Sequence, residues 1–144
     1  MDDLQDVYND LIMEHSMNSY NKKKLETCDL CEMGHNPNCG DEIELQVKLN
    51  GDVIEDMAFS GHGCAISQAS TSIMIDTLKG KTVEEAYEIY QNFVDMVEGK
   101  NYNVQKLENA IVYNNINKQP SRKKCALLPW LGIKKILDRH EKKV

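Results

Sequence analysis

The sequence predicts an α+β fold: an N-terminal helix, a small antiparallel β-sheet, and then helices packed on one face of that sheet. Three observations carry this expectation. Residues 43–59 hold two alternating apolar and polar runs around Asn50-Gly51-Asp52, the pattern of a β-hairpin with one buried face. Ahead of them, Leu4, Val7, Tyr8, Leu11 and Ile12 recur at helical spacing, and after them only helical periods follow. Strands therefore precede helices instead of alternating with them.

Taken in order, the first helix runs from Asp2 to about Met13 as an amphipathic segment. Residues 18–39 lack periodicity and are rich in Asn, Lys, Gly and acidic side chains, which predicts an exposed loop. Ile43 to Leu49 and Val53 to Phe59 form the hairpin. Ile66, Ala69, Ile73, Thr77 and Leu78 then have helical spacing, and Gly80 ends that helix. Thr82-Val83-Glu84-Glu85 has the form of a capping box, followed by an apolar stripe from Ala86 to Val97 that Gly99 closes. A short helix is expected near Val104–Tyr113, then a polar, basic connection from Asn114 to Lys124. The last helix is expected to start near Cys125 and run to about Lys142, with Pro129 in its first turn, where a missing N–H costs nothing.

Length and composition bound the function. At 144 residues and 41% apolar side chains, the chain suits one domain spanning residues 1–144 with one core. A net charge of −6 with two Phe and one Trp argues against nucleic acid as a partner. No apolar run approaches the roughly 18 residues that span a bilayer, and the acidic start Met1-Asp2-Asp3 is unlike a secretion signal. A soluble, cytoplasmic protein with no membrane partner is expected. Charge is unevenly placed: residues 118–143 carry nine Lys/Arg against two Asp/Glu, either a solvated basic helix or a docking patch centred on Arg122 and Lys124.

Five cysteines say more. An odd count without an export signal argues for reduced thiols that bind metal or do chemistry, not for a disulfide framework. Cys39 precedes the hairpin, Cys64 precedes a helix and Cys125 opens the last one, and such junctions let side chains converge. With Asp41, two residues beyond Cys39, they form a three-sulfur, one-oxygen set that suits tetrahedral Zn²⁺. Small buried hydrophobes are the bland alternative. Against it, Cys64 and Cys125 both fall at expected helix N-termini, where the dipole favours thiolate, and Arg122, Lys123 and Lys124 add positive charge beside Cys125. Cys28-Asp29-Leu30-Cys31 is either two accessible thiols or a second metal or redox site with His35. His15, His62 and His140 are expected at the surface or partly packed, and Met13, Met17, Met57, Met74 and Met96 in or beside the core.

At Asn36-Pro37-Asn38-Cys39-Gly40-Asp41, Phe59-Ser60-Gly61-His62-Gly63-Cys64-Ala65-Ile66-Ser67-Gln68-Ala69-Ser70 and Pro120-Ser121-Arg122-Lys123-Lys124-Cys125-Ala126 the chain closely resembles the IscU/SufU (NifU N-terminal-like) family of iron–sulfur cluster assembly proteins. The resemblance spans nearly the whole chain. Two features favour the SufU branch: a long connection from Cys64 to Cys125, and Lys124 before the third cysteine, where IscU-type scaffolds have histidine. The resemblance implies a SufU/IscU-like fold and a zinc-dependent sulfurtransferase that takes persulfide sulfur from a SufS-type, PLP-dependent cysteine desulfurase, with a SufB-containing assembly complex as a further partner. It implies Cys39 as the sulfur acceptor and Cys39, Asp41, Cys64 and Cys125 as zinc ligands. A zinc-bound thiolate is a weakened nucleophile, so the acceptor must be able to leave the metal. Cys39, between Asn36-Pro37-Asn38 and Gly40, is the ligand whose backbone moves most cheaply, with Cys125 its competitor. The alternative, in another functional class, is an IscU-type scaffold that assembles a [2Fe–2S] cluster, an iron-binding role for the same four residues.

Overall fold

The structure, a computed structural model, describes residues 10–17, 21–25, 30–36 and 41–143. Helix α1 (Asp10–Met17) precedes three strands, β1 (Leu30–Asn36), β2 (Asp41–Asn50) and β3 (Val53–His62). Helices α2 (Ala65–Leu78), α3 (Val83–Val97) and α4 (Val104–Leu107) follow. Two 3₁₀ turns (Glu108–Tyr113 and Ile116–Lys118) lead into the long helix α5 (Pro120–Lys143). The expected α+β class, with a small antiparallel sheet and helices on one face, is the architecture found. The part of the first helix expected over residues 2–9 lies outside the described residues, and the helix continues past Met13 to Met17.

The sheet has the order β1-β2-β3 and is antiparallel throughout. Its hairpin follows the alternation: Ile43, Leu45 and Val47 of β2 are buried with their partners Met57 and Phe59 of β3. A register shift at Lys48/Leu49 adds one residue to β3, and that bulge keeps both Ile54 and Met57 inside. Asp41 continues the same inward row at 0% exposure. The sheet thus delivers a carboxylate to the end of its apolar face.

β1 corrects the exposed loop expected over residues 18–39. Leu30 to Asn36 pair residue for residue with Val47 back to Asp41. Leu30-Cys31-Glu32-Met33-Gly34-His35-Asn36 has no apolar alternation, and the strand exists because β2 offers it a free edge. The outer edge of β3 is partly closed by the segment after α1, where Lys23 N–H donates to the Phe59 carbonyl (2.9 Å) and Phe59 N–H to that of Asn21 (3.1 Å).

The core lies between the sheet and α2, α3 and α5. Trp130 of α5 stacks on Phe93 of α3 (4.2 Å between centroids, 10° between planes), and Tyr113 meets Phe93 edge-on at 6.0 Å. Each polar tip in this cluster is satisfied. Trp130 Nε1–H donates to Ser70 Oγ (3.1 Å), Ser70 donates to the Ala126 carbonyl (2.6 Å), and Tyr113 donates to the Ile66 carbonyl (2.9 Å). α3 begins with the expected capping box, Thr82 and Glu85 bonding reciprocally. Met57, Met74 and Met96 are buried as expected, whereas Met13 and Met17 are exposed on α1.

α5 departs from expectation at its start. Pro120, not Cys125, is its first residue, where proline's fixed φ suits the helix, and the Gln119 carbonyl accepts from Lys123 N–H (3.0 Å). Cys125 therefore sits in the second turn, and Pro129 is inside the helix. Lacking an N–H, Pro129 cannot give the Cys125 carbonyl the bond an ordinary helical residue would. No helix among the described residues is long and apolar enough to cross a membrane.

Candidate metal centre

Asp41, Cys64 and Cys125 come from three different elements and meet at one point. A carboxylate oxygen of Asp41 and the two sulfurs all lie within 4.8 Å of one another. β2 supplies Asp41 from its first position, Cys64 caps the N-terminus of α2, and Cys125 faces inward from the second turn of α5. Asp41 and Cys125 are buried and Cys64 is half-buried. Cys39 lies outside the described residues, so three of the four expected ligands are placed and those three converge.

The local chain explains the convergence. Gly61 has φ +108°, and a Cβ there would lie 2.1 Å from the Glu42 carbonyl oxygen; only glycine lets β3 run this close to β2 as it leaves the sheet. Gly63 stands against the site itself, where a Cβ would fall 2.7 Å from Asp41 Oδ1 and 2.5 Å from Ser67 Oγ. Beyond it, the Cys64 N–H donates to Asp41 Oδ1 at 2.8 Å. This bond satisfies a helix-start donor and fixes the carboxylate, leaving Oδ2 facing the Cys64 sulfur at 3.9 Å. Gln68 Nε2–H donates to the Gly63 carbonyl (2.8 Å) and holds the turn from the other side.

Ser67 is a site residue that sequence reasoning did not single out. It is fully buried, donates to the Cys64 carbonyl at 3.1 Å, and its Oγ is 3.7 Å from the Cys64 sulfur. Its signal was its place three residues into the helix that Cys64 caps, where a short hydroxyl side chain bonds back to the cap.

The donor set fits a four-coordinate Zn²⁺. Metal–ligand distances of about 2.3 Å to sulfur and 2.1 Å to oxygen in a tetrahedron put sulfur and oxygen about 3.6 Å apart and two sulfurs about 3.8 Å apart. The observed 3.9 Å between Cys64 Sγ and Asp41 Oδ2, and the 4.8 Å ceiling on the whole set, approach that geometry. A fully buried carboxylate is also costly to keep ionised, and a cation beside Asp41 would compensate it. The cluster is capable of coordinating a metal ion.

The other candidates fall elsewhere. His62 is exposed, with Nε2 3.7 Å from Glu42 Oε2, and His140 lies 3.3 Å from Asp52. His15 is half-buried, its Nδ1 2.7 Å from Ser72 Oγ and its Nε2 3.8 Å from Asp76. Cys31 is exposed on β1 and disulfide-bonded. At Cys31 this departs from the expectation of reduced thiols and from its reading as an accessible thiol, whereas Cys64 and Cys125 are free thiols as expected. Cys28 lies outside the described residues. Cys64 stands at a helix start as expected, whereas Cys125 is displaced by a turn from the start of α5. Arg122 is half-buried and Lys124 exposed, one turn or less from Cys125.

With this geometry in place, the comparisons are decisive at the family level. The model of the NifU-like N-terminal domain matches residues 7–126. The chain belongs to the IscU/SufU/NifU N-terminal family of iron–sulfur cluster assembly proteins. It is 40% identical to the zinc-dependent sulfurtransferase SufU of Bacillus subtilis strain 168, over 96% of this chain and 94% of that one. It is 35% identical to the iron–sulfur cluster assembly scaffold protein IscU of Thermotoga maritima, over 92% and 94%. Among solved structures, a putative iron–sulfur cluster assembly scaffold protein for the SUF system from Fervidobacterium islandicum AW-1 superposes with a TM-score of 0.89 at 40% identity, covering 92% of this chain and 98% of that chain.

Proposed function

We propose that this protein is a zinc-dependent sulfurtransferase that accepts persulfide sulfur from a SufS-type cysteine desulfurase and passes it on for iron–sulfur cluster assembly, with a SufB-containing complex among its recipients. The observation that carries the reading is the buried meeting of Asp41, Cys64 and Cys125, joined to 40% identity with a zinc-dependent sulfurtransferase. Asp41, Cys64, Cys125 and Cys39 would hold the ion, Cys39 being two residues along the chain from Asp41 and within covalent reach. A bound Zn²⁺ would keep the thiolates ionised and protected from oxidation.

The chain's own part in transfer is nucleophilic. Cys39 thiolate attacks the terminal sulfur of the desulfurase persulfide; a new S–S bond forms on Cys39, the old one breaks, and the desulfurase cysteine leaves as thiolate. Cys64 and Cys125 belong to helices fastened into the core through the Tyr113–Ile66 and Ser70–Ala126 bonds. Neither can move far without unpacking a helix, so they are suited to stay as ligands while Cys39 reacts.

Metal analysis with an absorption spectrum, on protein purified without added metal, separates this reading from the cluster-scaffold role that the likeness to the Thermotoga scaffold favours. About one zinc per chain without visible charge-transfer bands supports sulfur transfer; coloured, iron-containing protein supports the scaffold. Incubation with cysteine and a SufS-type desulfurase is expected to place a persulfide on Cys39, and Cys39→Ala to abolish it. Label confined to Cys125 by mass spectrometry would overturn the assignment of the acceptor.

A further inference from the structure

The outward face of α5 carries a stripe whose exposed members, Lys124, Leu131 and Lys135, are used by neither the metal centre nor the core, with the core residue Leu128 between them. Lys124, Leu128, Leu131 and Lys135 follow one another at intervals of four, three and four residues, which places them on one side of the helix. Leu128 sits at the rim of the core, Leu131 is 47% exposed, and the two lysines are exposed. The lysines lie about 16 Å apart along the axis.

Their charge is not spent inside the molecule. Lys48, Lys79, Lys81, Lys106, Lys123 and Lys134 each stand 2.7–3.3 Å from a carboxylate oxygen. Among the described residues, Lys124 and Lys135 make no ion pair. The chain is net acidic, yet this helix region is strongly basic. A second copy of the protein would bring like charges together across the stripe, so self-association through it is disfavoured. Two lysines separated by apolar leucines do not track a phosphate backbone either. The complement is an acidic polypeptide surface with an apolar side chain set between two carboxylates.

The geometry points to this stripe as the docking surface for the protein that delivers sulfur: an acidic partner segment lies along α5, its apolar side chain on Leu131 and its carboxylates on Lys124 and Lys135. This rests on the proposed function. Because Lys124 is adjacent to Cys125, a partner so seated lies beside the metal centre. Leu131 provides contact area that excludes water, and the lysines set orientation and encounter rate.

The test uses the full chain with the SufS-type cysteine desulfurase of the same organism. Binding is measured by calorimetry at two salt concentrations, and stimulation of cysteine turnover is followed against the concentration of this protein. Lys124→Glu/Lys135→Glu is expected to weaken binding at least tenfold and to flatten its salt dependence, and Leu131→Ala to weaken it about fivefold. In both variants the half-saturating concentration for stimulation rises while the maximal rate, the zinc content and the melting temperature stay at wild-type values. Wild-type binding in both variants would overturn the docking surface while leaving the sulfur-transfer reading standing. Failure of the unmodified protein to bind the desulfurase would remove that reading and the docking with it. Self-association or RNA binding lost in the variants, with desulfurase affinity intact, would reassign the stripe to that occupant.

Discussion

Asp41 does two things with its two oxygens: Oδ1 caps the N–H of Cys64 and Oδ2 faces that residue's sulfur. The two roles separate by substitution. Asp41→Asn keeps an acceptor for the N–H but brings no charge, so the fold is expected within about 1 kcal/mol of wild type while zinc, followed by chelator competition, exchanges at least tenfold faster. Asp41→Ala loses both, and unchanged metal exchange in the two variants would show that Asp41 is not a ligand. Gly63 is the steric counterpart. A methyl there would press on both Asp41 and Ser67, so Gly63→Ala is expected to cost about 1–3 kcal/mol, read as a lowered melting temperature, and to weaken zinc binding. Adding Ser67→Ala relieves only one of the two collisions. Stability should partly recover in that double variant and metal affinity should not.

Among the elements, α3 and α5 share a polar contact away from the aromatic cluster. Tyr87 donates to Asp138 (2.7 Å), which also accepts from Lys134 (2.7 Å). Burial first, and then the hydrogen bond to Asp138, hold the Tyr87 hydroxyl above the ordinary tyrosine value of 10.0. The bond to Asp138 likewise raises Lys134 above 10.5. Groups raised on folding contribute in full below their unfolded values and lose that contribution as pH climbs past them. Stability is therefore expected to fall on the alkaline side, from about pH 10. Tyr87→Phe should cost about 1 kcal/mol near neutrality and make the fall in melting temperature between pH 9 and 11 shallower; an unchanged slope would show that the contact does not couple to pH. The same two helices show what the sequence could reveal. α3 was legible because its capping box and stripe are local signals, and the hairpin because Asn50-Gly51-Asp52 and the alternation agree. The start of α5 was misjudged because Arg122, Lys123 and Lys124 read as solvated connection, although Pro120 was a helix-start signal in plain view. β1 carried no local signal at all, since its partner lies ten or more residues along the chain at Val47 and Leu45. Cys64 at its helix start and Asp41 at the head of β2 were legible as converging positions, Cys125 meets them from inside α5 instead of from its start, and Ser67 needed the folded turn to be seen.

In the whole molecule, the candidate metal centre lies at the edge of the hydrophobic core and shares Cys125 with it. Asp41, Cys64 and Cys125 tie together the start of β2, the start of α2 and the second turn of α5, whereas Trp130, Phe93, Tyr113 and the sheet's inward row lie within the core. A small domain with little core unfolds when its zinc is removed; here the core is extensive, and of the three residues only Cys125 belongs to it, with Cys64 packed at its edge. Chelation is therefore expected to lower the melting temperature without abolishing the cooperative transition. By linkage, zinc in hundredfold excess over its dissociation constant contributes about 2.7 kcal/mol, a fraction of what a domain of this size holds. The loss should be local. Hydrogen exchange after metal removal is expected to quicken at residues 41–43, 63–67 and 121–126 and to stay slow at Phe93 and Trp130, because the Ser70–Ala126 and Tyr113–Ile66 bonds persist on the core side of both helix starts. Global exchange on chelation would mean that the metal organises the fold itself, and the three ligands would then be structural first. Local exchange would instead match a centre whose ligands can be released one at a time while the scaffold around them holds still, the condition that sulfur transfer through a departing cysteine requires.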